Sequence, residues 1–248
     1  MSIVSQKIEQ RDAAAAVLES PHARPTLVLV NAVPRTHTAP FLQRELNVLV
    51  AALLLIVCLP MMILVAILVK LTSHGPILYK QVRVGVDRRG GLPGGNGRRK
   101  IDYGGRLFTM YKFRTMYVQQ GPQKEVWAQK GDPRITPLGR ILRSYRIDEL
   151  PQLFNVLRGD MNIVGPRPEQ PKIFAKLREQ IDGYADRQRI LPGITGSAQI
   201  RQHYDSNLDD VRRKLRYDLD YASRQSAVED LKTLLLTIPV VVFKKGAW

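Results

Sequence analysis

The stretch Val48-Leu49-Val50-Ala51-Ala52-Leu53-Leu54-Leu55-Ile56-Val57-Cys58-Leu59-Pro60-Met61-Met62-Ile63-Leu64-Val65-Ala66-Ile67-Leu68-Val69 contains no polar side chain. Entering a hydrocarbon core takes ~20 helical residues, so this run is long enough, and Arg44 and Lys70 flank it. It starts too far into the chain and is too long for a cleavable signal peptide, and no small-residue cleavage pattern follows. Pro60, near the middle, removes a backbone donor and bends the helix. Two arrangements then satisfy every backbone group in lipid. One is a kinked spanning helix, with the basic remainder cytoplasmic and the preceding arm outside by the positive-inside rule. The other is a pair of short helices, broken at Pro60, that dip into the inner leaflet and return. The residues alone leave both open.

Outward from this run, residues 1–43 mix Ala, Pro, Thr and charges without sustained periodicity, and they read as a poorly ordered arm. The 248 residues suffice for one globular core with appendages. A formal net charge of +16 favours phosphates, anionic lipid or nucleic acid as partners. The sole cysteine, Cys58, lies in the apolar run, which excludes an internal disulfide framework and a cysteine zinc site.

Beyond the run, Gly75 to Gly85 reads as a strand, and Leu107 to Phe113 as a second. Between them Gly90 to Gly97 holds five glycines and a proline, followed by Arg98, Arg99 and Lys100. No Gly-Lys-Ser/Thr opens a helix there, so it reads as a surface hairpin loop, not a P-loop. Thr136-Pro137 is a helix start, with Thr as N-cap and Pro in the first turn. Arg140, Arg143 and Arg146 then recur every third residue, a solvated face or a row of anion-binding guanidiniums along one side.

The next segment, Ile147-Asp148-Glu149-Leu150-Pro151-Gln152-Leu153-Phe154-Asn155-Val156-Leu157-Arg158-Gly159-Asp160, reads as a short helix closed by Gly159. Asp148 as N-cap and Glu149 as a dipole partner in the first turn explain both carboxylates without chemistry. The surroundings suggest more: arginines precede the pair, and Gly165-Pro166-Arg167-Pro168-Glu169 presents Arg167 on a rigid turn. Arginine suits bidentate phosphate recognition, and a carboxylate among arginines is expected to have a lowered pKa. An ionised Asp can attack phosphorus to give an acyl phosphate, with Mg²⁺ offsetting charge on the phosphate oxygens.

From about Arg44 to Trp248 the chain resembles the bacterial sugar transferases, the small monotopic phosphoglycosyl transferases. The resemblance rests on Gly75 to Gly85, Phe108 to Met116, Asp132-Pro133-Arg134-Ile135-Thr136, Asp148-Glu149-Leu150-Pro151-Gln152, Val164-Gly165-Pro166-Arg167-Pro168, Pro192 to Gln199 and Tyr217 to Tyr221. The most specific pair is Asp-Glu-Leu-Pro-Gln followed by Gly-Pro-Arg-Pro. It implies an α/β fold, mostly α with a small β-hairpin, in a monotopic membrane protein. Residues 44–72 would form a re-entrant membrane helix broken at Pro60, and 73–248 a cytosolic catalytic domain, with Leu231 to Phe243 and the following Lys244, Lys245 and Trp248 as an interfacial amphipathic helix. Residues alone leave that last stretch equally readable as a core helix.

The resemblance further implies transfer of a sugar-1-phosphate from a UDP-sugar to undecaprenyl phosphate, at the cytoplasmic face of the bacterial inner membrane among its lipids. Asp148 would be the nucleophile and Glu149 its partner, as Mg²⁺ ligand or proton acceptor. Lys112, Arg114, Arg143 and Arg167 stand at positions suited to the diphosphate, and Gln199 near the nucleotide. The residues after Gln199, Ile200 to Tyr204, place the chain nearer exopolysaccharide enzymes, with glucose or galactose as the expected sugar, and the absence of preceding domains suggests a minimal catalytic form. Asn47 stands where the family usually has an acidic residue, and Ser197 replaces a bulkier one. His203 reads as a surface residue. A homo-oligomer stays open. Two rivals stand beside this reading: a membrane-anchored basic binding protein without catalysis, and a membrane phosphatase that uses water as acceptor. No nucleic-acid module is recognisable.

Overall fold

The structure, a computed structural model, describes residues 41–87, 104–118, 132–202 and 207–243. The arm before residue 41, the glycine-rich loop with Arg98 to Lys100, His203 and Lys244 to Trp248 lie outside the described residues.

Helix α1, Phe41–Thr72, carries the apolar run. Its helical residues continue through Pro60 without a gap, where two separate short helices were expected. A proline deletes one hydrogen bond and bends an axis without forcing neighbouring residues out of helical conformation. The side of α1 facing the rest of the molecule is the stripe Ala51, Leu55, Cys58, Met62, Val65 and Val69, with the alternating spacing of four and three that keeps one helical face in register. The outer face, including Leu49, Leu53, Ile56, Val57, Leu59, Ile63 and Leu64, is exposed and apolar.

Polar contacts fasten α1 at both ends. Near its start the Gln43 amide donates to Asp230 (2.6 Å), and Arg44 donates to the carbonyls of Val156 (2.7 Å) and Leu157 (3.2 Å). Asn47, the residue that departs from the family's usual acid, accepts from the backbone N–H of Ile163 at 2.7 Å. Near the far end, Arg114 donates to the carbonyls of Val69, Ser73 and His74. That fork supplies donors to the Val69 carbonyl in the last turn and to the Ser73 and His74 carbonyls just past the helix end.

Strands β1, Leu78–Val84, and β2, Leu107–Phe113, pair antiparallel from Leu78 opposite Phe113 to Val84 opposite Leu107, the expected hairpin. Then come α2, Pro137–Ser144; a 3-10 turn, Ile147–Glu149; α3, Gln152–Arg158; and β3, Asn162–Val164. After α4, Pro171–Gln180, and a 3-10 stretch, Tyr184–Arg189, strand β4, Gly193–Thr195, pairs parallel with β3. Helices α5, Ser197–Arg201, α6, Leu208–Arg224, and α7, Ala227–Val242, complete the described chain. The main core joins Val84, Phe108 and Met110 of the hairpin to Leu153, Val156, Val164, Phe174, Tyr184, Leu215 and Leu219, with Ala51 of α1 at its margin.

The outer side of α7 exposes Val228, Leu231, Leu235, Leu236, Ile238 and Val242, which is not the pattern of a core helix. Its buried side holds Asp230 and Thr233; Asp230 also accepts from the Tyr221 hydroxyl.

Candidate active site

Helix α2 starts as the sequence indicated: Thr136 Oγ1 accepts from the Gly139 N–H at 2.8 Å, and Pro137 lies in the first turn. It stops earlier than the arginine spacing suggested. The last helical residue is Ser144, and Arg146 follows in the left-handed region with φ 55, the one non-glycine residue with positive φ among those described. Arg146 therefore does not extend a row with Arg140 and Arg143. A non-glycine residue in that region costs roughly 1 kcal/mol. The reversal feeds the chain directly into the 3-10 turn carrying Asp148 and Glu149.

Asp148 does not cap α3. Pro151 occupies that position, and Gly159, with φ 82, closes the helix as expected. Both dyad residues are 7 % exposed. The helix cap is Pro151, the 3-10 turn has no side-chain cap hydrogen bond, and Glu149 is taken up by Lys112 and Arg167, so simple cap and dipole roles do not describe this pair.

The two carboxylates differ in company. Glu149 Oε1 accepts from Lys112 Nζ at 2.8 Å and from Arg167 Nη2 at 2.7 Å, and Oε2 faces Arg167 Nη1 at 3.4 Å. Asp148 has no hydrogen bond or ion pair among the described residues. Arg167 Nη1 also donates to Gln199 Oε1 at 3.1 Å, and Arg143 Nε to Thr115 Oγ1 at 2.8 Å. Lys112, Arg167 and Gln199 thus meet around Glu149, and Arg143 lies near enough to influence Asp148. Arg114 does not join them, because all its described hydrogen bonds go to the end of α1 and the residues just after it.

Electrostatics follows this division. Burial pushes the Asp148 carboxyl up to about 6, with the Glu149 charge adding to it and Lys112, Arg143 and Arg167 opposing. Burial acts on Glu149 too, but Arg167 and Lys112 outweigh it and hold that carboxyl well below the usual range. The lowered pKa expected of Asp148 falls on its neighbour instead, because the cations bind Glu149 directly.

Two staples position the site. Asn155, fully buried in α3, accepts from the Tyr111 N–H at 3.1 Å and donates to the Thr109 carbonyl at 2.7 Å. Its amide occupies the outer edge of β2 as another strand would, joining the helix after the dyad to the strand of Lys112. The loop bearing Arg167 rests on Arg83, Arg187, Glu169, Lys214 and Asp218. Sequence reasoning missed these roles; the charges are scattered along the chain, and their spacing carries no signal of contact.

A family model described as "Bacterial sugar transferase" matches residues 38–244. The chain belongs to the bacterial sugar transferase family. It is 39 % identical over 208 residues to a UDP-glucose:undecaprenyl-phosphate glucose-1-phosphate transferase of Caulobacter vibrioides, covering 83 % of this chain and 72 % of that protein. A Klebsiella pneumoniae protein of the same description is 37 % identical over 204 residues, or 82 % of this chain and 40 % of the relative. A UDP-N-acetylgalactosamine-undecaprenyl-phosphate N-acetylgalactosaminephosphotransferase of Aeromonas hydrophila is 36 % identical over 207 residues, 84 % of this chain and 45 % of the relative. The chain therefore spans less than half the length of two of these relatives. Asp148, Glu149, Lys112, Arg143, Arg167 and Gln199 all lie inside the matched region.

Proposed function

We propose that this sugar transferase moves a hexose-1-phosphate from a UDP-sugar to undecaprenyl phosphate, through a covalent phosphosugar on Asp148. The observation that carries the reading is a buried carboxylate with no hydrogen bond or ion pair among the described residues, close to Lys112, Arg143 and Arg167. An Asp148 oxygen attacks the β-phosphorus, the bond from that phosphorus to the bridging oxygen breaks, and UMP leaves with the electron pair. An oxygen of undecaprenyl phosphate then attacks the same phosphorus, and the bond to Asp148 breaks, giving the lipid diphosphosugar and free carboxylate. A pKa near 6 leaves Asp148 mostly ionised at neutral pH and more nucleophilic than a carboxylate of ordinary pKa.

Glu149 acts in this scheme as the anchor that keeps Lys112 and Arg167 poised for the diphosphate. A carboxylate held well below its usual range is a poor proton acceptor. Among the described residues no three His, Cys, Asp or Glu side chains cluster to form a protein cage for a metal. Mg²⁺ needs only one or two carboxylates beside phosphate oxygens and water, so Asp148, whose oxygens have no partner among the described residues, fits it, whereas both Glu149 oxygens face Arg167. When bound there, Mg²⁺ would offset diphosphate charge.

The relatives act, by their descriptions, on UDP-glucose or UDP-N-acetylgalactosamine, and a hexose of the glucose or galactose kind is our choice of substrate. We also place the protein on the cytoplasmic face of the inner membrane with α1 re-entrant, supported by the exposed apolar faces of α1 and α7. The deciding experiment incubates the protein with UDP-glucose labelled in the sugar and the β-phosphate. Both labels become attached to Asp148 and are released by undecaprenyl phosphate. Transfer by Asp148→Asn at the wild-type rate would exclude the covalent route.

A further inference from the structure

The backbone from Pro166 to Glu169 has every carbonyl occupied. Gly193 N–H donates to the Pro166 carbonyl at 2.9 Å, and Val84 N–H to the Glu169 carbonyl at 2.9 Å. The two carbonyls between them are taken by guanidiniums. Arg187 Nη2 donates to the Arg167 carbonyl at 2.9 Å, and Arg83 Nη1 to the Pro168 carbonyl at 2.9 Å.

Each guanidinium is itself held. Arg83 donates from Nε (3.1 Å) and Nη2 (2.6 Å) to Gln81 Oε1. Arg187, 1 % exposed, pairs with Asp218 at 2.7 Å and donates to the Tyr184 hydroxyl at 2.7 Å. It also meets Glu169 at 3.3 Å, and Lys214 closes the group on Glu169 at 2.8 Å. A buried arginine with this many charged partners is costly to assemble, and hydrophobic packing would fill the same space at no loss of stability. What apolar side chains cannot do is fix the two peptides that follow Arg167.

We propose that Arg83 and Arg187 are positioning residues, which clamp the carbonyls of Pro168 and Arg167 so that the Arg167 guanidinium meets a nucleoside diphosphate at a set angle. This rests on the proposed use of a UDP-sugar. Bidentate phosphate recognition depends on the direction of a planar fork, so a loosened loop loses affinity even with Arg167 present. Neither clamp residue touches the phosphate in this scheme. Each acts through Arg167, and its effect vanishes once Arg167 is gone.

That dependence is the test, because a residue serving only general stability acts whether or not Arg167 is there. UDP binding to the detergent-solubilised full chain is measured by titration calorimetry for the wild type, Arg83→Gln, Arg167→Gln and the double variant, with thermal unfolding in parallel. Arg83→Gln weakens UDP binding about tenfold, and the double variant binds no more weakly than Arg167→Gln alone. Gln81→Leu, which frees Arg83 without touching the loop, weakens UDP about threefold. Arg187→Lys serves as a second clamp variant whose retained charge still answers Asp218 and Glu169. Wild-type affinity in Arg83→Gln, or losses that add in the double variant, overturn the proposal. A wild type that binds UDP yet never releases UMP from a UDP-sugar sinks the transferase reading, while the same binding cycle still decides the clamp. A wild type with no affinity for UDP overturns both.

Discussion

At the scale of single residues, the two neighbouring carboxylates predict opposite responses to neutralisation. Burial raises the Asp148 pKa to about 6, so between the unfolded value and that pKa the folded state binds more protons than the unfolded one. Stability from this group is therefore present at low pH and lost as pH rises toward 6, and at neutral pH the folded protein carries the cost of an ionised buried carboxylate. Asp148→Asn removes that cost, so we expect thermal unfolding to move up by on the order of 2 kcal/mol while transfer is abolished. Glu149 has the reverse sign. Its pKa is depressed by Arg167 and Lys112, so its contribution is present above the unfolded pKa and lost only in acid. Glu149→Gln leaves two half-buried cations, Lys112 and Arg167, without their anion and lowers stability by roughly 1–3 kcal/mol. Unfolding of both variants in one detergent checks the pair; shifts of the same sign would contradict the division. The Asp148 pKa also predicts that kcat/KM for the UDP-sugar falls about tenfold per pH unit below about 6, since only the ionised form attacks. A rate of UMP release that stays flat to about pH 5 would mean that the nucleophile has an ordinary or lowered pKa.

At the scale of elements, the features the sequence disclosed were those with local causes. The hairpin strand Leu107–Phe113, the α2 start at Thr136-Pro137 and the α3 stop at Gly159 follow from β-branched and aromatic residues, an N-cap and a left-handed glycine. Features set by contacts distant in sequence were not legible. Arg146 bears no mark of a left-handed residue, and regular arginine spacing suggested more helix than exists. Strands β3 and β4 have three residues each, too few for any period to show. Arg114 stands in sequence at a position suited to a diphosphate, while its described hydrogen bonds go to carbonyls at and just after the end of α1, a contact that no spacing signals. Asn155 is the most consequential of these silent positions, because its one amide joins α3 to the free edge of β2. Asn155→Leu strands the Tyr111 N–H and the Thr109 carbonyl, a loss of roughly 2–4 kcal/mol. It also loosens Lys112 relative to Glu149, so transfer activity should fall below what the remaining folded fraction accounts for. Full specific activity per folded molecule, measured by circular dichroism beside the assay, would reduce Asn155 to a packing residue.

At the scale of the whole molecule, α1 poses a geometric problem that its contacts answer. A straight helix of 32 residues is about 48 Å long, enough to cross a hydrocarbon core of ~30 Å and leave its ends on opposite sides. Yet Arg44 near one end binds the carbonyls of Val156 and Leu157, and the residues at the other end bind Arg114. Between these points the stripe from Ala51 to Val69 lies against the same body. A helix packed along its length on a domain of strongly basic composition cannot stand across a bilayer unless that domain is drawn into the hydrocarbon, where each charge costs several kcal/mol. The outer face of α1 can instead sink into one leaflet while the inner face stays on the protein, with Pro60 allowing the axis to bend. On the cytoplasmic placement proposed above, both ends of α1 would lie on that side. Green fluorescent protein fused at residue 1 or at residue 248 should fluoresce in cells, and alkaline phosphatase at either place should be inactive. Active phosphatase at residue 1 would put the start of α1 in the periplasm, and the polar contacts of Gln43, Arg44 and Asn47 with the catalytic body would then have to be broken in the membrane-bound protein.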